Sequence, residues 1–204
     1  MPTGHEFQKE VINAYFRGQT ATTISTVYKA QYQESTADVA SGTITCSAAA
    51  VGDSVVTIAG INASMTADSL VRFSGDTTRV YQIRETLTAN GALKIHPPLQ
   101  VAVTTSHTVE YIRESNYTGY TRQAATYDAP GDHGDTDTSA DITFAAVAGL
   151  TGSNQLDNNA GVLFSASTSG MLMTFGLLDP RKLLDNGDKS TISADNDQFT
   201  WAYA

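Results

Sequence analysis

Cysteine, cations, proline and long apolar runs are all scarce in this chain of 204 residues. Cys46 is the single cysteine, which excludes an intrachain disulfide and a cysteine zinc cluster. No stretch approaches the roughly 18 consecutive apolar residues of a membrane-spanning helix, so no membrane partner is expected. The start, Met1-Pro2-Thr3-Gly4-His5-Glu6, has neither the basic segment nor the apolar run of a secretory signal. Lys and Arg number 12 against 21 Asp and Glu, a formal net charge of −9. Affinity for nucleic acid depends on cations that neutralise phosphates, so nucleic acid is not an expected partner either. Charged residues make up only 16% of the chain, so Thr, Ser, Asn and Gln must cover much of its surface. The acid excess favours solubility and leaves other proteins as the natural partners.

One helix is legible, at the start. Thr3-Gly4-His5-Glu6 has capping-box spacing, with the Thr3 hydroxyl and the Glu6 carboxylate each placed to take a backbone N–H. Phe7, Val11, Ala14 and Tyr15 recur at helical spacing, with Ile12 and Phe16 widening the stripe. Arg17 suits the negative end of the helix dipole, and Gly18 can terminate the helix. A helix this short needs a surface on which to lay its apolar face. Its own domain is the first expectation and a neighbouring subunit the second.

Everything after Gly18 reads as β. In 24–33, Ile24, Thr26, Tyr28, Ala30 and Tyr32 fall on one side of a period-two pattern. Further β-branched or aromatic runs occur at 43–45, 55–58, 69–73, 79–84, 92–95, 108–113, 120–127, 142–147, 161–165, 171–178 and 198–203. In the last run Phe199, Trp201 and Tyr203 share one face. Turn residues separate the runs, among them Ser74-Gly75-Asp76, Asn90-Gly91 and Asn186-Gly187-Asp188. Leu183-Leu184, close to Pro180, reads as a helical turn. A dozen short strands with turns between them predict a mostly β protein. The expected architecture is an antiparallel β-sandwich or jelly-roll-like domain with a short N-terminal helix.

The middle of the chain reads as an insertion. Residues 37–109 carry their own set of hairpins, ended by His96-Pro97-Pro98, because consecutive prolines cannot sit inside a paired central strand. They are expected to form a small β-barrel-like domain. Residues 1–36 and 110–204 together would make the scaffold from which it springs.

Motifs of chemistry are absent. No G-x-S-x-G elbow, H-E-x-x-H, glycine-rich phosphate loop or Walker pattern occurs. His5, His96, His107 and His133 have no context that marks a general base, and Cys46 sits in an Ala/Ser-rich stretch as a small buried hydrophobe. Asn62-Ala63-Ser64 and Asn116-Tyr117-Thr118 fit the glycosylation pattern as chance matches. Only the segment 128–141 attracts attention as a metal site, through Asp132, His133, Asp135 and Asp137. Its Asp135-Thr136-Asp137-Thr138-Ser139 resembles the start of a calcium loop but lacks the sixth-position glycine and twelfth-position Glu, so it reads as a solvated acidic loop. No residue is therefore nominated as catalytic, cofactor-binding or metal-ligating. No cofactor is expected, and the chain is not expected to be an enzyme.

Both ends of the chain resemble a family of tailed-bacteriophage virion proteins described as structural, decoration or tail-fibre proteins. The likeness rests on the opening helix followed by Thr23-Ile24-Ser25-Thr26-Val27-Tyr28-Lys29-Ala30-Gln31-Tyr32, on Gly119-Tyr120-Thr121-Arg122, and on Ile142-Thr143-Phe144 running to Gly149. It continues through Gly161-Val162-Leu163-Phe164-Ser165-Ala166 and Ser169-Gly170-Met171-Leu172, then Leu184-Asp185-Asn186-Gly187-Asp188. About 1–34 and 115–204 are covered. The family's usual Asp after that Phe is Ser165 here, and the intervening residues are extra. The shared Gly170 and Gly187 sit where positive φ is wanted.

This resemblance implies a scaffold without an active site, located in a virion. Its leading expectation is a capsid decoration (cement) protein that binds and stabilises the head as a homotrimer, with the major capsid protein or other virion proteins as partners. A tail, collar or baseplate/fibre component that contacts other tail proteins or the host surface is the alternative. A carbohydrate-binding module is the reading from another class.

Overall fold

The computed structural model describes residues 4–20, 24–128, 135–136, 138–150, 155–193 and 199–200, with backbone alone at 135–136, 179–181 and 199–200. Helix α1 spans His5–Arg17, and strand β1, Val27–Glu34, leads into a single-turn helix α2, Thr36–Val39. Then come β2 (Ile44–Cys46), β3 (Val55–Ala59), β4 (Leu70–Phe73), β5 (Asp76–Ile83), β6 (Gly91–His96) and β7 (Thr108–Glu114). The chain continues with β8 (Gln123–Ala125), β9 (Asp135–Thr136), β10 (Ile142–Thr143), β11 (Leu156–Phe164), β12 (Leu172–Leu184), β13 (Thr191–Ile192) and β14 (Phe199–Thr200). The molecule is mostly β, as the sequence predicts.

Six of these strands close on themselves. The order β7-β2-β3-β6-β5-β4 is completed by pairing of β4 back to β7, from Leu70↔Ile112 to Phe73↔Val109. Strand alternation explains why this barrel has a core. Ile44 and Cys46, Val56 and Ile58, Val71 and Phe73, Tyr81 and Ile83, Leu93 and Ile95, and Val109 and Tyr111 all lie in one buried cluster. Each strand thus contributes two inward residues at i and i+2, which is how a small barrel fills its interior with side chains. β6 ends at His96, immediately before the two prolines.

The residues between those inward positions face the other way. Leu70, Val80 and Ile112 point out of the barrel into a second buried cluster with Ala30, Tyr32, Val162, Phe164, Leu172 and Phe175. There the flanking strands are arranged in the order β12-β11-β1-β7. β7 therefore belongs to both parts. Its first residues pair with β2 through Ile44↔Val109, and its last pair with β1 through Glu34↔Ile112, Gln33↔Arg113 and Tyr32↔Glu114. β8 also lies against β1, and short pairs β10–β13 and β14–β9 complete the described strands.

Several details differ from the expectation. The N-cap of α1 is Gly4, which makes no side-chain capping bond, whereas Gly18 ends the helix in the left-handed region as expected. Gly4 is needed for close approach. A Cβ there would lie 1.9 Å from the Leu172 carbonyl oxygen, and the Gly4 N–H donates to the Met173 carbonyl at 2.7 Å. Leu183-Leu184 continues β12 instead of forming a helical turn. β12 ends the sheet path, and Pro180 falls in the register irregularity between the Ala160↔Leu177 and Asn158↔Lys182 pairs. A residue without an N–H is tolerated at such a position. The runs at 120–127 and 142–147 shrink to three and two strand residues. Gly170 and Gly187 do adopt positive φ, at 79° and 95°. Phe199-Thr200 forms a short strand against β9, while Trp201 and Tyr203 lie outside the described residues.

Because the first core draws only on residues 39–111, a fragment covering 35–114 is expected to unfold cooperatively on its own. Leu93→Ala should cost about 2–5 kcal/mol both in that fragment and in the whole chain. Removing 37–109 strips Leu70 and Val80 from the second core, so the joined flanks should fold with a lowered midpoint. Denaturant titrations followed by circular dichroism check all three. Loss of a cooperative transition in either piece would contradict a two-unit organisation.

Candidate interaction surface

Helix α1 is fastened by its first residues, lies partly against β12 and leaves one face open. Besides the Gly4 bond to β12, the His5 N–H donates to Gln82 Oε1 at 2.9 Å. The His5 ring lies 5.3 Å from that of His96. An Arg84 guanidinium nitrogen sits 2.9 Å from His5 Nε2. Guanidinium only donates, so Nε2 is the acceptor and His5 is neutral there. Burial and the Arg84 charge lower the His5 pKa from its ordinary value of 6.5, Lys9 adding to them and Glu6 opposing. Beyond this attachment no α1 side chain is buried. Ile12 is 46% exposed, and Tyr15 and Phe16 are each 82% exposed. Phe7, Val11 and Ala14 are half-buried, so the stripe packs on its own chain in part and leaves Ile12, Tyr15 and Phe16 outside that contact. Three large apolar side chains on one short helix form an uncovered face, which is the kind of exposed patch that marks an interaction site.

A second feature lies at the barrel–scaffold seam, where residues of the sequence motifs meet. The Arg122 guanidinium donates to both Glu114 oxygens, at 2.8 and 2.7 Å, and to the Ala166 and Ser169 carbonyls, at 3.1 and 2.5 Å. Its central carbon lies over the Phe164 ring, 3.4 Å from the ring centre. Tyr120 donates its hydroxyl to Glu114 Oε1 at 3.1 Å and accepts the Gln31 N–H at 3.1 Å. Burial foremost, and then the Glu114 charge, raise the Tyr120 pKa far above its ordinary value of 10, so its proton stays on. These contacts give the shared Tyr, Arg and Phe a physical reason. They bolt β1, the end of β7 and the 165–170 turn together.

Next to this bolt a cleft of about 570 Å³ opens between barrel and scaffold. The Arg113–Asp38 ion pair, at 2.7 and 3.0 Å, stands at one side of it. Asp68, which sequence reasoning missed, lines the cleft, and burial raises its carboxyl above the ordinary carboxylate range. Nothing in the sequence around it marks it, because its surroundings are assembled from β1, β5 and β7.

Of the residues weighed in the sequence, Cys46 lies in the barrel core with its thiol against the Thr104 and His107 carbonyls. Burial raises its pKa, the opposite of what a nucleophilic thiol needs. His5 and His96 come together at the foot of α1, while His107 packs over Gly75. Asp132, His133 and Asp137 lie outside the described residues, and Asp135 is described by its backbone alone. Among the described residues no three His, Cys, Asp or Glu side chains gather as a metal group would require. Nor is any described helix long and apolar enough to cross a membrane.

A family model described as "Podophage GP4 fiber I protein gp80" matches residues 95–200. The match begins at the end of β6 and takes in β7, Tyr120, Arg122 and Phe164, and it leaves out α1. No curated protein and no solved structure matches the chain.

Two outcomes test the geometry. Arg122→Leu leaves the half-buried Glu114 without its cation and its charged hydrogen bonds, which should destabilise the chain by about 1.5–3 kcal/mol. A denaturant midpoint that does not move would contradict the bolt. For His5 the sign follows from the lowered pKa. As pH falls through 6.5, detached α1 takes up a proton before the docked helix does, so docking weakens on acidification. Protection of the α1 amides relative to their intrinsic exchange rates at each pH should therefore fall between about pH 7 and pH 5.5 in the native protein and much less in His5→Gln.

Proposed function

The chain belongs to the podophage GP4 fiber I protein gp80 family and is a bacteriophage virion component. From that premise we propose that it is a non-enzymatic structural part of the fibre apparatus, held in the particle by another virion protein seated on the apolar face of α1. The observation that carries this reading is the pairing of a bolted, rigid β body with a helix whose Ile12, Tyr15 and Phe16 are left uncovered. Burying side chains of that size supplies about 1.5–3 kcal/mol each, which is the scale on which a few residues anchor an interface. Conversely, leaving them in water favours association with any surface that fits.

Between the two virion placements expected from the sequence, the family favours the fibre over capsid decoration. A decoration protein is required in hundreds of copies so that weak contacts sum through avidity, whereas fibre components are few. A homotrimer remains an expectation of this proposal, with α1 either at the contact between copies or against a different protein.

Purified virions should contain the chain at a small fraction of the major capsid protein, and it should stay with isolated tails. Ile12→Asp combined with Phe16→Asp should abolish its incorporation while leaving the melting midpoint of the free protein unchanged. Copy numbers approaching that of the capsid protein, or normal incorporation of the double variant, would overturn the proposal.

A further inference from the structure

One side chain joins the foot of α1 to the cleft. Gln82 is only 2% exposed, and its amide is engaged at both ends. Oε1 accepts the His5 N–H at 2.9 Å, and Nε2 donates to Asp68 Oδ1 at 2.6 Å. Asp68 is also held through its backbone. Its N–H donates to the Ile83 carbonyl at 2.9 Å, and its carbonyl accepts the buried Tyr32 hydroxyl at 2.8 Å. These contacts keep it at φ 63°, in the left-handed region that a non-glycine residue occupies only when its surroundings impose it. The carboxylate thus stands one side chain away from the helix proposed as the seat of a virion partner. Oδ2 accepts no hydrogen bond from the described residues, and Asp68 lines the cleft.

Charge and reach decide what the cleft receives. On its walls Asp38 is paired with Arg113 and Glu114 with Arg122, so among the described lining residues Asp68 is the one carboxylate without an ion pair. Burial raises its carboxyl above the ordinary carboxylate range. Glu6 of α1 adds to that effect, while Gln82 and Arg122 oppose it. An arriving cation would relieve the penalty on the charged form. A metal ion would find no cluster of ligands among the described residues. A small organic cation would leave most of the 570 Å³ to water, whereas a protein loop fills it. Ile12 lies about two turns beyond His5, roughly 10 Å along the helix axis. An interface of ordinary size, about 800 Å² on each partner, is broad enough to take in both. The net charge of −9 favours a basic surface on that partner. We propose that the protein seated on the apolar face of α1 also inserts an arginine side chain into this cleft, where it pairs with Asp68. Arginine suits the site better than lysine, because a guanidinium is the more weakly hydrated cation. The inference rests on α1 being that partner's seat.

The test is a titration of the whole isotope-labelled chain, followed by NMR at low ionic strength and neutral pH. The probes are a blocked Gly-Arg-Gly peptide and its citrulline analogue, which keeps the shape and removes the charge. At millimolar concentration the arginine peptide should shift the amides of 67–69 and the side-chain amide of Gln82, and the citrulline peptide should not. Asp68→Asn tolerates the left-handed region and keeps an acceptor for Gln82, yet removes the charge. It should weaken binding of the arginine peptide about fivefold or more without lowering the melting midpoint. Should that variant misfold, Ala67→Lys on the exposed rim supplies a cation of the chain's own and should weaken binding in the folded protein. Equal shifts with both peptides, no localised shift with the arginine peptide, or arginine shifts that survive both substitutions would overturn the site. In phage, Asp68→Asn should lower incorporation several-fold. Normal incorporation of Asp68→Asn, beside lost incorporation of the Ile12→Asp and Phe16→Asp double variant, would overturn this proposal and leave the fibre reading standing. Normal incorporation of the double variant would overturn the fibre reading, and the partner's seat on α1 with it, whatever the peptides show.

Discussion

Strand β7 is the constraint on which the other parts depend. Its first half closes the barrel against β2 and β4, and its second half pairs with β1 and carries Glu114, the counter-charge of Arg122. One continuous backbone therefore transmits the position of the barrel to the scaffold sheet. The Arg122–Glu114–Tyr120 contacts and the Leu70, Val80 and Ile112 seam then hold the two in one relative placement. Side chains packed to native density resist continuous deformation, so the outcome is a stiff body and not two units on a tether.

Stiffness gives the two surfaces their meaning. The foot of α1 is tied both to the scaffold edge, at Met173, and to the barrel, at Gln82 and Arg84. The cleft is walled by both units as well. A partner seated on Ile12, Tyr15 and Phe16 would thus fix the direction in which the barrel and the cleft face. In the fibre reading, a fixed direction is what that contact supplies.

Much of the architecture could be read from the chain. Alternation in each of the six barrel strands announces which residues turn inward, and the two prolines after His96 mark where a strand must stop. The glycines at 18, 170 and 187 announce left-handed turns. The site was less legible for definite physical reasons. Apolar spacing in α1 shows that a face wants cover, but nothing local says whether the cover is the same chain. Tyr120, Arg122 and Phe164 stand out as a shared pattern, yet their meeting depends on the register of β1 against β11, where Tyr28 pairs with Phe164. Asp68 is silent in sequence because its strain and its burial are imposed by Tyr32 and Gln82 from other strands. Leu183-Leu184 misleads, since proline near an end suggests a helix boundary unless the strand is known to lie at an edge.

Cryo-electron microscopy of the intact phage tests the central claim most directly. The account predicts that density for this chain lies in a fibre of the tail apparatus, with Ile12, Tyr15 and Phe16 covered by a neighbouring protein and the barrel and scaffold in the relative placement described above. Density in which that helix face stays open to solvent, or in which the barrel swings freely about β7, would contradict it.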